Sequence, residues 1–250
     1  MIDYGLYSMD CFDGFTLIDD KSIDMILCDM PYGTTKNRWD SVLPLDKLWE
    51  QYERIIKDDG AIVLFSQQPF TSVLVQSNLK LFKYEWIWEK TMATGFLNCN
   101  YAPLKCHENI LVFGKAATSP TKSLHMVYNP QMGIGKPISE TKSGHGSKNY
   151  GKQKPTYYSS NGSRYPRDVV TFRHDKEKLH PTQKPVALCE YLIRTYTNEG
   201  DLVLDNCAGS GSTLIAAHNT QRRFIGFEKD VEICNMAIER LEKHGVSNGR

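Results

Sequence analysis

Asp29-Met30-Pro31-Tyr32 places a carboxylate, two backbone carbonyls and a phenol ring within four residues, directly after the apolar run Ile23 to Cys28. That set suits a planar amine. An amine conjugated to a heteroaromatic ring is a poor nucleophile because its lone pair is delocalised, so a catalyst must localise and align that pair. Asp29 can accept one N–H and the carbonyl of Met30 or Pro31 the other, which favours a pyramidal nitrogen as positive charge develops. Tyr32 offers an aromatic face for stacking, and Pro31 stiffens the loop that carries both groups.

A second loop, Asp205-Asn206-Cys207-Ala208-Gly209-Ser210-Gly211-Ser212-Thr213, follows the apolar Leu202-Val203-Leu204 and precedes a helical stretch. Its glycines permit a tight turn and close approach of backbone N–H groups to a ligand. Gly209 and Gly211 satisfy part of Gly-x-Gly-x-x-Gly, but Leu214 fills the third position and no Gly-Lys-Ser/Thr follows, which weakens a dinucleotide or triphosphate reading. Glu228 closes the next apolar run 23 residues after Asp205. That is near the roughly 20-residue separation at which an acid accepts both hydrogen bonds of a ribose diol. Loop and acid together describe a nucleoside pocket. A plain glycine turn beside a solvated strand-end glutamate fits the same residues, and the pair alone does not choose.

Loops of this kind need a sheet to hold them. Apolar runs at Ile23 to Cys28 and Ala61 to Phe65 alternate with helical candidates from Asp46 to Lys57 and from Pro69, the pattern of a parallel sheet with helices on both faces. Tyr84 to Trp88 and Asn109 to Phe113 add strands. From about Lys115 to Leu179 the pattern dissolves into Ser, Thr, Gly, Lys, Asn and Tyr, and a stretch that long inside one domain is functional or disordered rather than filler. Regular structure resumes with a helix from Pro185 to about Thr197, strands at 201–205 and 223–227, and helices at 212–219 and 231–244. Residues 1–114 and 180–250 thus form one α/β domain of Rossmann-like type, and 115–179 an insert.

The 250 residues carry a net charge of only +1, but the distribution is uneven. Residues 115–180 hold 12 Lys/Arg against 4 Asp/Glu, which makes the insert a basic surface suited to phosphate contacts and groove readout. Arg164, Arg167 and Arg173 are its candidate nucleic-acid contacts, and Tyr157, Tyr158 and Tyr165 could stack on bases. The seven cysteines are scattered with no Cys-x-x-Cys pair, so neither a disulfide framework nor a metal site is expected. No apolar window reaches the length of a membrane span and the first residues do not read as a secretory leader, so a cytoplasmic, reduced setting is expected.

With these motifs in this order the chain resembles the amino-group DNA methyltransferases, whose catalytic motif is Asp/Asn/Ser-Pro-Pro-Tyr and whose cofactor motif is similar to Asp-Pro-Phe-Ala-Gly-Ser-Gly-Thr-Thr. Catalytic motif first, variable stretch next and cofactor motif last is the permuted order called the beta class. His180-Pro181-Thr182-Gln183-Lys184-Pro185 resembles the family's further cofactor-binding segment. The resemblance implies a Rossmann-like S-adenosylmethionine-dependent methyltransferase that flips a base out of double-stranded DNA.

It further implies that Asp29, Met30, Pro31 and Tyr32 hold the target base and that Asp205, Cys207, Gly209 and Gly211 wrap the methionine end of the cofactor. Glu228 would take the ribose, with Thr182 and Lys184 near the cofactor carboxylate and Asp10 and Ser66 lining the adenine pocket. Met30 in place of the first proline implies a looser loop, and Asn206-Cys207 in place of Pro-Phe removes an aromatic ring from the cofactor pocket. Aspartate at 29 leans toward adenine N6. Cytosine N4, an RNA base or protein glutamine, and a catalytically silent DNA-binding module are the alternatives. The resemblance implies a prokaryotic or phage origin and leaves open whether the role is restriction-modification, regulation or phage protection, as it leaves a homodimer open.

Overall fold

Apolar residues alternate between the two faces of the central strands, so both faces must be covered. The computed structural model describes residues 2–33, 41–142, 151, 155–177, 179 and 182–246. In β2 (Ile23–Cys28), Met25 and Leu27 enter one apolar cluster while Ile26 and Cys28 enter another. In β3 (Ile56–Ser66), Ala61, Val63 and Phe65 join the first and Ile62 and Leu64 the second. The period of two that puts successive side chains on opposite faces thereby creates two cores, one on each side of the sheet.

The first core is closed by α4 (Val186–Tyr196), α5 (Ser212–Asn219) and α6 (Val231–Lys243), through residues such as Leu192, Leu214 and Leu241. The second is closed by α1 (Cys11–Phe15), α2 (Leu45–Ile55) and α3 (Phe70–Ser77), through Phe15, Tyr52 and Leu74. The remaining strands of the sheet are β1 (Gly5–Ser8), β4 (Phe82–Thr94), β5 (Lys105–Phe113), β10 (Val169–Phe172), β11 (Leu202–Asp205) and β12 (Arg223–Glu228). Their order is β1-β12-β11-β2-β3-β5-β4-β10. Every neighbouring pair is parallel except β3·β5 and β5·β4, so β5 alone runs against its seven companions. Its first residues, not its last, therefore lie at the edge where the other strands end.

Two departures from the sequence expectation follow from packing. Helix α2 passes into β3 at Ile55 and Ile56 with no loop between them, so the strand begins five residues before the apolar run that advertises it. The stretch expected to lack structure supplies β10, a short half-exposed strand that extends the sheet beside β4, and it buries Ala116 and Met126.

Residues Pro130–Arg167 form a separate compact unit. Within it β6 (Gly133–Ile134) pairs antiparallel with β9 (Ser163–Arg164), and nested inside them β7 (Ile138–Lys142) pairs antiparallel with β8 (Thr156–Ser160). Among the described residues, no helix is long and apolar enough to cross a membrane.

Candidate active site

The carboxyl ends of the parallel strands bring five of the residues singled out above to one edge. Asp10 follows β1, Asp29 follows β2, and Ser66, Asp205 and Glu228 are the last residues of β3, β11 and β12. The edge gathers acids because each strand presents its final side chain there, where ligands of open α/β sheets bind.

Asp29 is held by two donors. Tyr32 Oη donates to Oδ1 at 2.5 Å and Lys184 Nζ donates to Oδ2 at 2.5 Å. Burial pushes the Asp29 carboxyl up, and the Lys184 ammonium opposes this without cancelling it, so it stays above the usual carboxylate range. Burial alone would lower Lys184, but the negative charges of Asp29 and Glu108 outweigh it and the ammonium is held more firmly than usual. Tyr32 is pushed well up by burial and then by Asp29, so it stays a phenol and a donor. Its ring stacks on Phe70 with centroids 5.5 Å apart at 24°, which occupies one face.

Sequence reasoning missed Glu108. Being near the start of the antiparallel strand, it reaches the same edge as Asp29, one residue before the apolar run from which β5 is recognisable. Glu108 Oε2 lies 3.4 Å from Lys184 Nζ, while Oε1 is ion-paired with Lys90. Burial raises the Glu108 carboxyl, but Lys184 and Lys90 together bring it below its usual value, so it is firmly ionised. Four buried or half-buried charges thus alternate in sign from Asp29 to Lys90.

Met30 does not leave the loop loose. Its side chain is buried in the apolar cluster under α1 and α2, so core packing supplies the anchorage that a proline would give by ring closure. Pro31 is half-buried beside it.

At the second loop, Asp205 is nearly fully buried and its carboxyl is pushed up to about 7 by burial, against hydrogen bonds from Thr213 and the Cys207 N–H. Gly209 and Gly211 take φ of +50° and +78°, the left-handed region in which a Cβ is strained. Glu228 accepts the Gly209 N–H at 2.8 Å on Oε2 and the Asp230 N–H at 2.9 Å on Oε1. It fixes the glycine loop while each oxygen keeps a second lone pair. Buried Arg240 braces the same loop from α6, donating to Ser210 O and Ser212 Oγ at 2.9 Å and reaching Asp175 at 3.2 Å.

Where the resemblance expects Pro-Phe, Asn206 accepts the Tyr52 hydroxyl at 2.6 Å, and the Cys207 thiol meets Cys11 and Cys28. Burial pushes Cys28 up to about 11, so it remains a thiol. No group of three or more His, Cys, Asp or Glu among the described residues could hold a metal ion.

Asp10 caps α1 through the Phe12 N–H and pairs with Lys229 at 2.9 Å. Ser66 is buried and accepts from Thr71 at 3.0 Å, linking it to Asn109 and Glu85. Thr182 is exposed, whereas its neighbours Gln183 and Lys184 are buried. His180 and Pro181 lie outside the described residues. Arg164 commits its guanidinium within its own unit, to Ser160 Oγ, Ser163 O and Lys136 O, whereas Arg167 and Arg173 are exposed. Tyr157 and Tyr165 are exposed too; the Tyr158 side chain lies outside the described part.

Fold and site together define a Rossmann-like α/β protein with a paired carboxylate and a glycine-rich loop at one sheet edge. Residues 23–239 match the DNA methylase family of N6 and N4 type, and the chain belongs to it. It is 30% identical over 245 residues to the type II methyltransferase M.HpaI of Haemophilus parainfluenzae, covering 90% of this chain and 70% of that one. It is 29% identical over 240 residues to the DNA adenine methyltransferase YhdJ of Escherichia coli strain K12, covering 89% and 77%. The M1.HpyAVI–SAM complex shares the fold, with a TM-score of 0.64 at 24% identity over 95% of this chain and 99% of that one.

Replacing Lys184 by Gln removes the charge that opposes the burial of Asp29, so the carboxyl titrates at higher pH still. With Asp29 as the acceptor of the target amine, its ionised form is the better acceptor, and methyl transfer would slow as pH falls through that value. The acid limb of the rate profile should therefore move to higher pH in Lys184→Gln. An acid limb that stays where the unaltered enzyme has it contradicts the assignment.

Proposed function

We propose that this chain transfers a methyl group from S-adenosylmethionine to the exocyclic N6 of adenine in double-stranded DNA. The observation that carries the reading is the Asp29 carboxylate, oriented by Tyr32 and Lys184 at the sheet edge that also carries Asp205 and Glu228. S-adenosylmethionine supplies an electrophilic methyl group on a sulfonium centre. The chain's part is to hold, orient and exclude.

Asp205, as a buried carboxylate, matches the ammonium of the cofactor's amino-acid end, and its elevated value is that of an acid waiting for a cation. Glu228 has lone pairs left for a ribose diol after taking its two backbone donors. Gly209 and Gly211 let the backbone approach closely. Asp10, just after β1, and Ser66, the last residue of β3, stand at strand ends separated by β12, β11 and β2; they are the candidates for the adenine side, with Cys207 on the loop after the intervening β11. Thr182, next to the buried Gln183-Lys184 pair, completes the set.

Asp29 would accept one N–H of the target amine and a carbonyl of Met30 or Pro31 the other, drawing the nitrogen toward a pyramidal shape and stabilising its growing positive charge. An amine inside a stacked duplex is out of reach of a catalytic loop, so the target nucleotide would be flipped out. Exposed Arg167 and Arg173 suit phosphate or base contacts, and Arg164 serves by shaping the inserted unit. Adenine is favoured by aspartate at position 29 and by the likeness to an adenine methyltransferase. Cytosine N4 is the second reading, since the family takes both amines.

Purified protein incubated with labelled cofactor and unmethylated duplex DNA should yield N6-methyladenine on digestion. N4-methylcytosine in the digest would establish the second reading, and no labelled base would contradict both. Cofactor binding should also depend on pH. Below about 7 Asp205 is protonated in the free chain and must release that proton to hold an ammonium. The dissociation constant should therefore weaken toward about tenfold per pH unit on the acid side, with proton release on binding. A constant that stays flat through that range contradicts the role given to Asp205.

A further inference from the structure

Both oxygens of Asp29 are already engaged by the chain's own donors, Oδ1 by Tyr32 and Oδ2 by Lys184. An arriving amine can use a second lone pair, but an ammonium 2.5 Å from Oδ2 drains the acceptor and repels the positive charge that grows on the amine nitrogen. Something has to relieve that conflict as the base enters. The structure holds one acceptor placed to do so. Glu108 Oε2 is buried, accepts no hydrogen bond among the described residues and lies 3.4 Å from Lys184 Nζ. Buried carboxylate oxygens without a hydrogen bond are rare and mark a functional or strained position.

We propose that Glu108 is a positioning residue that receives Lys184 when the target amine takes its place on Asp29. The proposal rests on the functional reading above and extends it. Before base entry, Lys184 keeps Asp29 ionised in a pocket that would otherwise favour the neutral acid. On entry its ammonium moves toward Glu108, closing the gap to an ordinary charge-assisted distance of about 2.8 Å. No proton changes hands, and the count of charges in the pocket is unchanged. Lys90 is paired with the other oxygen of Glu108 and so holds the receiving carboxylate in place. The aromatic rings of Phe65 and Tyr32 lie 5.2 Å and 5.8 Å from the ammonium, soft walls that tolerate a cation moving between two acceptors.

The test compares Glu108→Gln with the unaltered enzyme, which must first methylate DNA. The amide side chain of this variant keeps the shape and a weak acceptor but loses the charge. The turnover number should fall at least about tenfold, or ~1.4 kcal/mol of activation free energy, while the dissociation constants for cofactor and DNA stay within about twofold. Glu108→Asp, which keeps the charge, should recover most of the loss. In a Lys184→Gln background, assayed on the alkaline plateau, adding Glu108→Gln should change turnover less than about twofold, because no ammonium remains to be received.

Turnover within about twofold of the unaltered enzyme in Glu108→Gln overturns the proposal, as does an equal loss in both backgrounds. Should Glu108→Gln not fold, Lys90→Gln/Glu108→Gln removes one charge of each sign and carries the same expectations. An unaltered chain that transfers no methyl group overturns the functional reading and this proposal with it. An active unaltered chain with an indifferent Glu108 overturns this proposal alone.

Discussion

The ion pair between Asp29 and Lys184 is the constraint around which the site is built. A half-buried carboxylate with part of its hydration removed carries a desolvation cost that pushes it toward its neutral form. Neutral Asp29 would be a weaker acceptor for an N–H than the carboxylate. Lys184 resolves this by placing a compensating charge in the same low-dielectric pocket, and breaking such a pair by removing one partner costs roughly 3–5 kcal/mol. On the proposed function the pair serves catalysis before stability. Glu108 and Lys90 extend it into an alternating chain, which keeps the buried cation from depending on Asp29 alone.

The fold makes the arrangement attainable. Parallel strands deliver their last side chains to one edge, which brings Asp29, Asp205 and Glu228 together from widely separated stretches of sequence. Reversal of β5 brings Glu108, in the first half of that strand, to the same edge, and the segment before α4 supplies Lys184 from the far side of the inserted unit in sequence. Arg240 and Glu228 fix the glycine loop through its backbone groups, and Glu228 keeps lone pairs for a ligand. Like charges gathered at one edge are tolerable because each acid has a cation, a backbone N–H or its own proton to offset it.

Much of this was legible in the sequence because the signals are local. Asp29 to Tyr32 and Asp205 to Thr213 each sit at a change from apolar run to turn, and such changes survive any uncertainty about tertiary packing. The pairing of Asp29 with Lys184 was not legible, because the partners stand 155 residues apart and nothing in either segment refers to the other. Glu108 escaped notice because strand-end reasoning looks to the last residue of a strand, and only the topology reveals that β5 is reversed. Met30 read as a loosened loop since the missing proline is visible in sequence, whereas the apolar pocket that receives its side chain is not. Arg164 reads as a nucleic-acid contact from its residue type, whereas the hydrogen bonds it makes to Ser160 and the Lys136 carbonyl are visible only in the structure. Residue types announce chemistry; partners at long range decide which chemistry is free to occur.

The central claim is that Asp29 acts on the target amine and not on the methyl donor. Single-turnover methyl transfer to duplex DNA by Asp29→Ala, measured beside its calorimetric affinity for S-adenosylmethionine, separates the two. The account predicts a rate lowered by about 10²–10³ with cofactor affinity changed by no more than a few-fold. A rate close to that of the unaltered enzyme, or a loss of activity explained wholly by lost cofactor binding, would contradict it.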